Sequence, residues 1–183
     1  MTTTPAPPPP QPDAAPAAGD WFLRPLSPAD WPQVAAIFNH YVRHTSAAFF
    51  EQELPATVLG KLLESSRGLP SLAVAAREDS ARVGGFGLLR PYHASPVFAR
   101  SAELTCFLDP ALTRQGLGSR LLAALGQAAR QRGVDHMLAT VAADNQASLA
   151  FHRYQGFSEV GRLPQVGRKH GQDLSLVLLL REL

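Results

Sequence analysis

The sequence predicts a mixed α/β domain, and three observations support this fold class. Runs of β-favouring residues and amphipathic helical segments follow one another in the order β-α-α-β-β-β-α-β-α-β-β. A glycine turn at residues 114–119 joins the end of a strand to a long amphipathic helix. The chain then closes with a strongly apolar strand at residues 174–180. Together these features indicate a mixed central β-sheet flanked by α-helices.

The individual elements follow from periodicity and from turn residues. Ser27-Pro28-Ala29-Asp30 predicts a helix start, with a cap, a proline at the first helical position and an acid in the first turn. We predict strands at residues 21–26, 71–77, 82–90, 101–108, 134–141, 157–160 and 174–180. We predict helices at residues 28–43, 55–66, 117–132 and 145–155, with a polar, basic loop at residues 162–172. Gly84-Gly85 indicates a bulge or a close backbone approach in the third strand.

The first 20 residues differ in composition from the rest of the chain. Residues 1–20 are mostly Pro, Ala and Thr, without an aromatic residue, so they bury too little surface to offset the entropy of ordering. We therefore expect a disordered leader at 1–20 and a single domain at 21–183. The proline run at residues 7–10 fits either a solvated tail or a polyproline helix offered to a partner.

Charge and cysteine content limit the possible partners. A net charge of +2 suits an anionic ligand but is too small to argue for nucleic acid. Cys106 is the only cysteine, so no disulfide forms within the chain and a reducing compartment is expected. No apolar run approaches the roughly 20 residues that span a bilayer. We expect a soluble, cytoplasmic protein with no membrane, nucleic-acid or metal partner.

The glycine turn is the strongest candidate for a binding site. A helix N-terminus presents unpaired amides and the positive end of the helix dipole, and glycine lets a phosphate approach them. A Walker loop needs Lys-Ser/Thr after the last glycine, whereas Ser119-Arg120 follows Gly118. A dinucleotide fingerprint needs a third small residue where Leu121 stands. The pattern therefore predicts a different phosphate or pyrophosphate ligand.

The segment Thr113-Arg114-Gln115-Gly116-Leu117-Gly118 resembles motif A of the GNAT superfamily of acyl-CoA-dependent N-acyltransferases. Thr113 stands where that motif usually has Gln or Arg. A second block, with Asn145, Ser148 and His152 before Gly156-Phe157, resembles motif B of the same superfamily. The resemblance implies a sheet splayed near its middle, acetyl-CoA as co-substrate and, as in many relatives, a homodimer.

Further matches resemble the phosphinothricin N-acetyltransferase branch, whose members also acetylate methionine sulfone and methionine sulfoximine. They are Phe38-Asn39-His40, His44-Thr45, Arg90-Pro91, Glu103 and the block at residues 161–171. Two positions depart from the branch: Asp173 and Ser175 stand where it has Trp and Asp. The departures leave open another small amine or a protein N-terminus as acceptor, and also a non-catalytic acyl-CoA sensor.

The resemblance also implies site residues. The implied catalytic residues are Glu103 and His152. The implied acetyl-CoA contacts are Cys106, Phe107, Leu108, Thr113, Arg114, Gln115, Gly116, Leu117, Gly118, Ser119, Asn145 and Ser148. The predicted acceptor contacts are Phe49, Tyr92, Phe98, Glu103 and Lys169, and no metal is expected.

Transfer of an acetyl group to an amine requires a deprotonated nitrogen, and alkyl ammonium groups have pKa values of about 10.4. Glu103 is the candidate base, although a carboxylate at this place also fits an ion pair with Arg90 or Arg100. His152 is the candidate proton relay or acid, although it also fits a packed helix histidine. Direct attack needs no enzyme nucleophile, and Cys106 is expected to be a buried strand residue.

Overall fold

The computed structural model describes residues 18–66 and 68–183. The predicted leader lies outside the described residues except for Ala18–Asp20, a short 3-10 turn. The strands are β1 Trp21–Pro25, β2 Ser71–Ala76, β3 Val83–Pro91, β4 Ser101–Leu108, β5 His136–Ala142, β6 Ser158–Lys169 and β7 Gln172–Glu182. The helices are α1 Trp31–His44, α2 Ala56–Glu64, α3 Leu117–Arg130 and α4 Gln146–Tyr154. This order confirms the predicted mixed α/β class.

The sheet is splayed between β4 and β5. Its strand order is β1-β2-β3-β4-β5-β7-β6, and only β4 and β5 run parallel. These two strands pair from Ser101 opposite His136 to Glu103 opposite Leu138 and then separate. The remainder of β4 pairs on one side only, with β3. The predicted splayed mixed sheet is therefore confirmed.

Helices cover both faces of the sheet. Leu121 and Leu125 of α3 belong to one buried cluster with Leu89 of β3, whereas Val34 of α1 belongs to a second cluster with Leu88. The side chains of successive β3 residues thus point to opposite faces of the sheet and pack into different clusters, as the pleat requires. The two faces are called the α1 face and the α3 face below.

The glycine pair in β3 forms the predicted bulge. Val74 lies opposite Gly85 and Ala75 lies opposite Val83, so Gly84 is the extra residue. A Cβ atom built on Gly84 would lie 2.3 Å from Leu112 Cδ1 and 2.6 Å from Trp21 Cζ3. A glycine is needed here because no side chain fits.

The prediction of a loop at residues 162–172 is wrong. Those residues form most of β6 and the start of β7, joined by a two-residue turn at His170 (φ 48°) and Gly171 (φ 76°). Positive φ at both positions is the geometry of a tight hairpin turn. Periodicity did not show the strand because the pairing register shifts twice along β6, between Glu159 and Gly161 and between Leu163 and Gly167.

Candidate active site

The separation of β4 from β5 opens into a cavity of ≈ 1190 Å³. Both predicted catalytic residues, Glu103 and His152, line it. The other predicted site residues on its wall are Phe49, Cys106, Phe107, Leu108, Thr113, Arg114, Gly116, Gly118, Ser119, Asn145 and Ser148. Residues distant in the chain therefore meet where the sheet divides.

The start of α3 forms one part of this wall. Gly116 has φ 78° and stands at the helix N-cap position, a conformation that favours glycine. The hydrogen-bond pattern of the helix begins with the N–H of Arg120, which donates to the Gly116 carbonyl at 3.1 Å. The preceding amides are therefore available to an anion. Leu117, a predicted contact, does not line the cavity, because its side chain is buried in the core.

Gly118 faces α4 across the cavity. A Cβ atom built on Gly118 would lie 3.2 Å from Phe151 Cζ. The amide Nε2 of Gln155 in turn donates to Ser119 Oγ at 2.8 Å, and Asn145 Oδ1 accepts from the N–H of Ser148 at 3.1 Å. The contacts of Phe151 and Gln155 hold the start of α3 against the C-terminal half of α4, and Asn145 caps the start of α4.

The unpaired edge of β4 supplies main-chain groups to the gap. The N–H of Asp109 donates to Gly84 at 2.8 Å, and the Ser101 carbonyl accepts from Tyr92 at 3.2 Å, so odd-numbered residues point their main-chain groups toward β3. By alternation, the N–H groups of Cys106 and Leu108 point into the gap. The N–H of Leu108 is therefore a main-chain donor at the cavity wall, the kind of group that stabilises an oxyanion.

Tyr41 is a cavity residue that the sequence analysis missed. Its position in α1 fits the apolar face of that helix, but its hydroxyl donates to the Leu108 carbonyl at 2.8 Å. Burial is the main cause that raises the pKa of Tyr41, with a further increase from the nearby Asp109. Tyr41 thus stays protonated and fixes the end of β4.

Glu103 and Arg90 form an ion pair at the cavity wall. They lie opposite each other on β4 and β3, and Arg90 Nη2 donates to Glu103 Oε2 at 3.0 Å. The side chain of Glu103 retains 36% exposure. Among the described residues, Arg90 Nε is buried without a hydrogen-bond partner. The carboxylate is thus anchored by a cation that still has an unused donor.

His152 approaches the cavity from α4 as a neutral imidazole. Its Nδ1 lies 2.8 Å from the Ser148 carbonyl, which only accepts, so Nδ1 carries the hydrogen. Burial is the main cause that lowers the pKa of His152, and the bond to Ser148 opposes that change. The lone pair on Nε2 therefore makes His152 a proton acceptor in its resting form.

The environment of Cys106 is that of a structural thiol. It lines the cavity, but burial raises the pKa of Cys106 to about 12. Because the thiolate is the reactive form, this environment disfavours nucleophilic use of the residue.

Besides Leu117, four predicted site residues lie off this cavity. Tyr92 and Phe98 are 50% and 43% exposed, with ring centroids 6.0 Å apart. Tyr92 borders a smaller neighbouring pocket that shares Arg90 and Glu103 with the main cavity. Gln115 turns away, donating from Nε2 to the Ala111 carbonyl at 3.1 Å.

Lys169, the fourth, is 6% exposed and donates to the carbonyls of Thr45 and Ala48, each at 2.6 Å. Its ammonium therefore binds the protein's own backbone, which corrects the prediction of a substrate-binding lysine.

The fold and this site define an acyl-CoA-dependent transferase, and sequence comparison agrees. The model of the Acetyltransferase (GNAT) family matches residues 32–157. The chain belongs to this family and is an N-acetyltransferase of the GNAT type. In the part of the chain that the structure describes, no helix is both long and apolar enough to cross a membrane.

Several known proteins resemble the chain over most of its length. Phosphinothricin N-acetyltransferase of Streptomyces coelicolor is 33% identical, over 86% of this chain and 93% of the relative. The crystal structure of ribosomal-protein-alanine N-acetyltransferase from Brucella melitensis is 35% identical with a TM-score of 0.81, covering 88% of this chain and 99% of that chain. The structure of yncA from Salmonella typhimurium, with its cofactor acetyl-CoA, is 28% identical with a TM-score of 0.80. The match covers 88% of this chain and 93% of that chain.

Proposed function

We propose that the protein transfers the acetyl group of acetyl-CoA to the primary amine of a small amino-acid-like acceptor of the phosphinothricin or methionine sulfoximine type. One observation carries this proposal: an anion-binding helix start, a main-chain oxyanion donor, a carboxylate and a neutral histidine all border one cavity. These are the groups that direct transfer from a thioester to an amine requires.

The two substrates are proposed to meet from opposite faces of the sheet. Glu103 and Phe107 are four positions apart on β4, so their side chains point to the same face of the sheet. The ring centroid of Phe107 lies 5.2 Å from that of Phe38, on the α1 face. His152 packs 5.1 Å from the ring of Phe157, which belongs to the cluster on the α3 face. The α1 face would thus admit the amine, while the start of α3 would hold the pyrophosphate of acetyl-CoA.

Proton movements in the proposed mechanism follow from these positions. Glu103 accepts a proton from the incoming ammonium, and the free amine attacks the thioester carbonyl while Leu108 N–H stabilises the oxyanion. His152 Nε2 accepts a second proton from the tetrahedral nitrogen, and collapse breaks the carbon–sulfur bond. The imidazolium then delivers its proton to the departing thiolate, which returns His152 to its neutral form.

The unpaired donor of Arg90 favours an acceptor molecule that carries a carboxylate. Its Nε is buried and lacks a partner within the described chain, and an unsatisfied guanidinium donor favours an anionic group. Because Arg90 also holds Glu103, an α-amino acid would present its carboxylate and its amine to adjacent groups.

A protein N-terminus is a second candidate acceptor. The similarity to the ribosomal-protein-alanine N-acetyltransferase covers 99% of that chain at 35% identity, and Asp173 and Ser175 replace the branch's Trp and Asp. An N-terminal alanine also has an α-amine, but its carboxyl group is part of a peptide bond.

An acceptor panel tests the proposal. We would measure CoA release from acetyl-CoA with phosphinothricin, methionine sulfoximine, methionine sulfone, simple alkyl amines and an alanine-starting peptide. Turnover is expected with the amino acids, and their amides without a free carboxylate should react poorly. Activity confined to the peptide would support the second candidate, and no turnover with any amine would contradict both.

The pH profile tests the proposed relay. Burial lowers the pKa of His152 below its ordinary value of 6.5, so the imidazole remains neutral as the pH falls through that value. The acid limb of kcat/KM attributable to this group should lie below pH 6.5, and His152→Gln should lower the rate and remove that limb. His44→Gln, at an exposed position of α1, is the control. A wild-type limb centred above 6.5 and assigned to His152 would contradict the role.

A further inference from the structure

Residues 45–54 link α1 to α2 and form one wall of the cavity. We call them the wall segment. Ala47, Ala48, Phe49 and Phe50 of this segment line the cavity, and the ring of Phe50 lies 5.7 Å from that of Phe38. The wall segment therefore lies on the α1 face, where the amine is proposed to enter.

The wall segment is irregular, so its shape depends on contacts outside it. At its far end, Asn39 Nδ2 donates to the Leu54 carbonyl, and Asn39 Oδ1 accepts from the N–H of Leu54, both at 2.9 Å. Near its start, Ser46 Oγ donates to Asp144 Oδ1 at 2.6 Å. The middle of the segment is held by the β6–β7 hairpin.

Lys169 makes the central contact between this hairpin and the wall segment. Its buried ammonium donates 2.6 Å hydrogen bonds to the carbonyls of Thr45 and Ala48, on either side of a cavity-lining turn. Glu51 accepts from the N–H of His170 at 3.0 Å. Burial lowers the pKa of Lys169, and the nearby Glu51 carboxylate opposes that change. A buried ammonium is costly without such partners.

We infer that Lys169 is a positioning residue that sets the shape of the acceptor pocket. By tying together the backbone at Thr45 and Ala48, it fixes where Phe49 and Phe50 stand relative to Glu103. The acetyl-CoA side is proposed to depend on α3 and α4, whereas the Lys169 ammonium donates to the wall segment. The inference rests on the proposed function, because it assumes that the amine binds on the α1 face.

The test is a comparison of Michaelis constants. Lys169→Met keeps the alkyl stem but removes the donors, and the KM for the acceptor should rise about tenfold because two buried carbonyls lose a charged partner. The KM for acetyl-CoA should stay within twofold. Lys169→Arg should restore part of the acceptor affinity. Arg168→Met is the matched control, since Arg168 is exposed and its guanidinium pairs with Asp173.

A second variant covers the case in which Lys169→Met fails to fold. Glu51→Ala acts from the exposed side of the same contact and should also raise the acceptor KM selectively, whereas Glu78→Ala, in a remote exposed pair with Arg82, should not. An unchanged acceptor KM, or equal rises in both constants, would overturn the inference. Failure of the wild-type enzyme to turn over any amine would instead overturn the proposed function.

Discussion

Replacing Glu103 by Gln is expected to lower kcat by about 10²- to 10⁴-fold, the usual contribution of a general base. The amide keeps the size and hydrogen bonding of the side chain but does not accept a proton at neutral pH. Arg90 would still have an acceptor oxygen opposite it, so the cavity should keep its shape. The measurement is steady-state CoA release at saturating acetyl-CoA and acceptor.

The pH dependence of Glu103→Gln separates a base from a binding residue. Without a base, the rate should follow the fraction of free amine and rise with pH toward the pKa of the acceptor's own α-amino group. The affinity for acetyl-CoA should be unchanged. Glu159→Gln is a control on β6, where the carboxylate pairs with Arg153 and Arg162. A kcat within threefold of wild type would exclude Glu103 as the base.

Gly118→Ala is expected to weaken acetyl-CoA binding by about 10- to 100-fold, because hydrogen bonds to a charged group contribute about 1.5–3 kcal/mol each. The new Cβ atom would lie 3.2 Å from Phe151 Cζ, beside the amides proposed to hold the pyrophosphate. It therefore displaces the ring or blocks the ligand. Calorimetric titration with acetyl-CoA measures the effect.

Gly126→Ala is the matched control for this variant. It lies in the same helix, and its Cβ atom would meet Leu183 Cδ2 at the same distance, 3.2 Å, but Gly126 is not among the residues that line the cavity. Both variants carry a similar packing cost, so their stabilities should change alike while only Gly118→Ala loses affinity. Equal affinities for acetyl-CoA would contradict the assignment of the α3 start.

Local patterns in the sequence were sufficient for much of the fold and for the position of the proposed anion site. The glycine turn, the helix that follows it and the Gly84 bulge each depend on residues close together in the chain. The approximate positions of the strands follow for the same reason. The splay between β4 and β5 came from family resemblance, and the pairing of the two strands confirms it.

The acceptor side was harder to predict because it depends on contacts between distant residues. Lys169 and Thr45 are separated by 124 positions, and Tyr41 reaches Leu108 across 67 positions. A basic residue in a polar stretch indicates an exposed side chain, yet Lys169 is buried because the β6–β7 hairpin folds back onto the wall segment. Tyr92 and Phe98 lie outside the main cavity, on the segment between β3 and β4, where both side chains are exposed.

The most direct test of the whole account is a crystal structure of Glu103→Gln with acetyl-CoA and phosphinothricin bound. We expect the pyrophosphate at the amides that follow Gly116, the thioester carbonyl oxygen within hydrogen-bond distance of Leu108 N–H, and the acceptor nitrogen beside residue 103. Acetyl-CoA bound elsewhere, or with its thioester away from the gap between β4 and β5, would contradict the account.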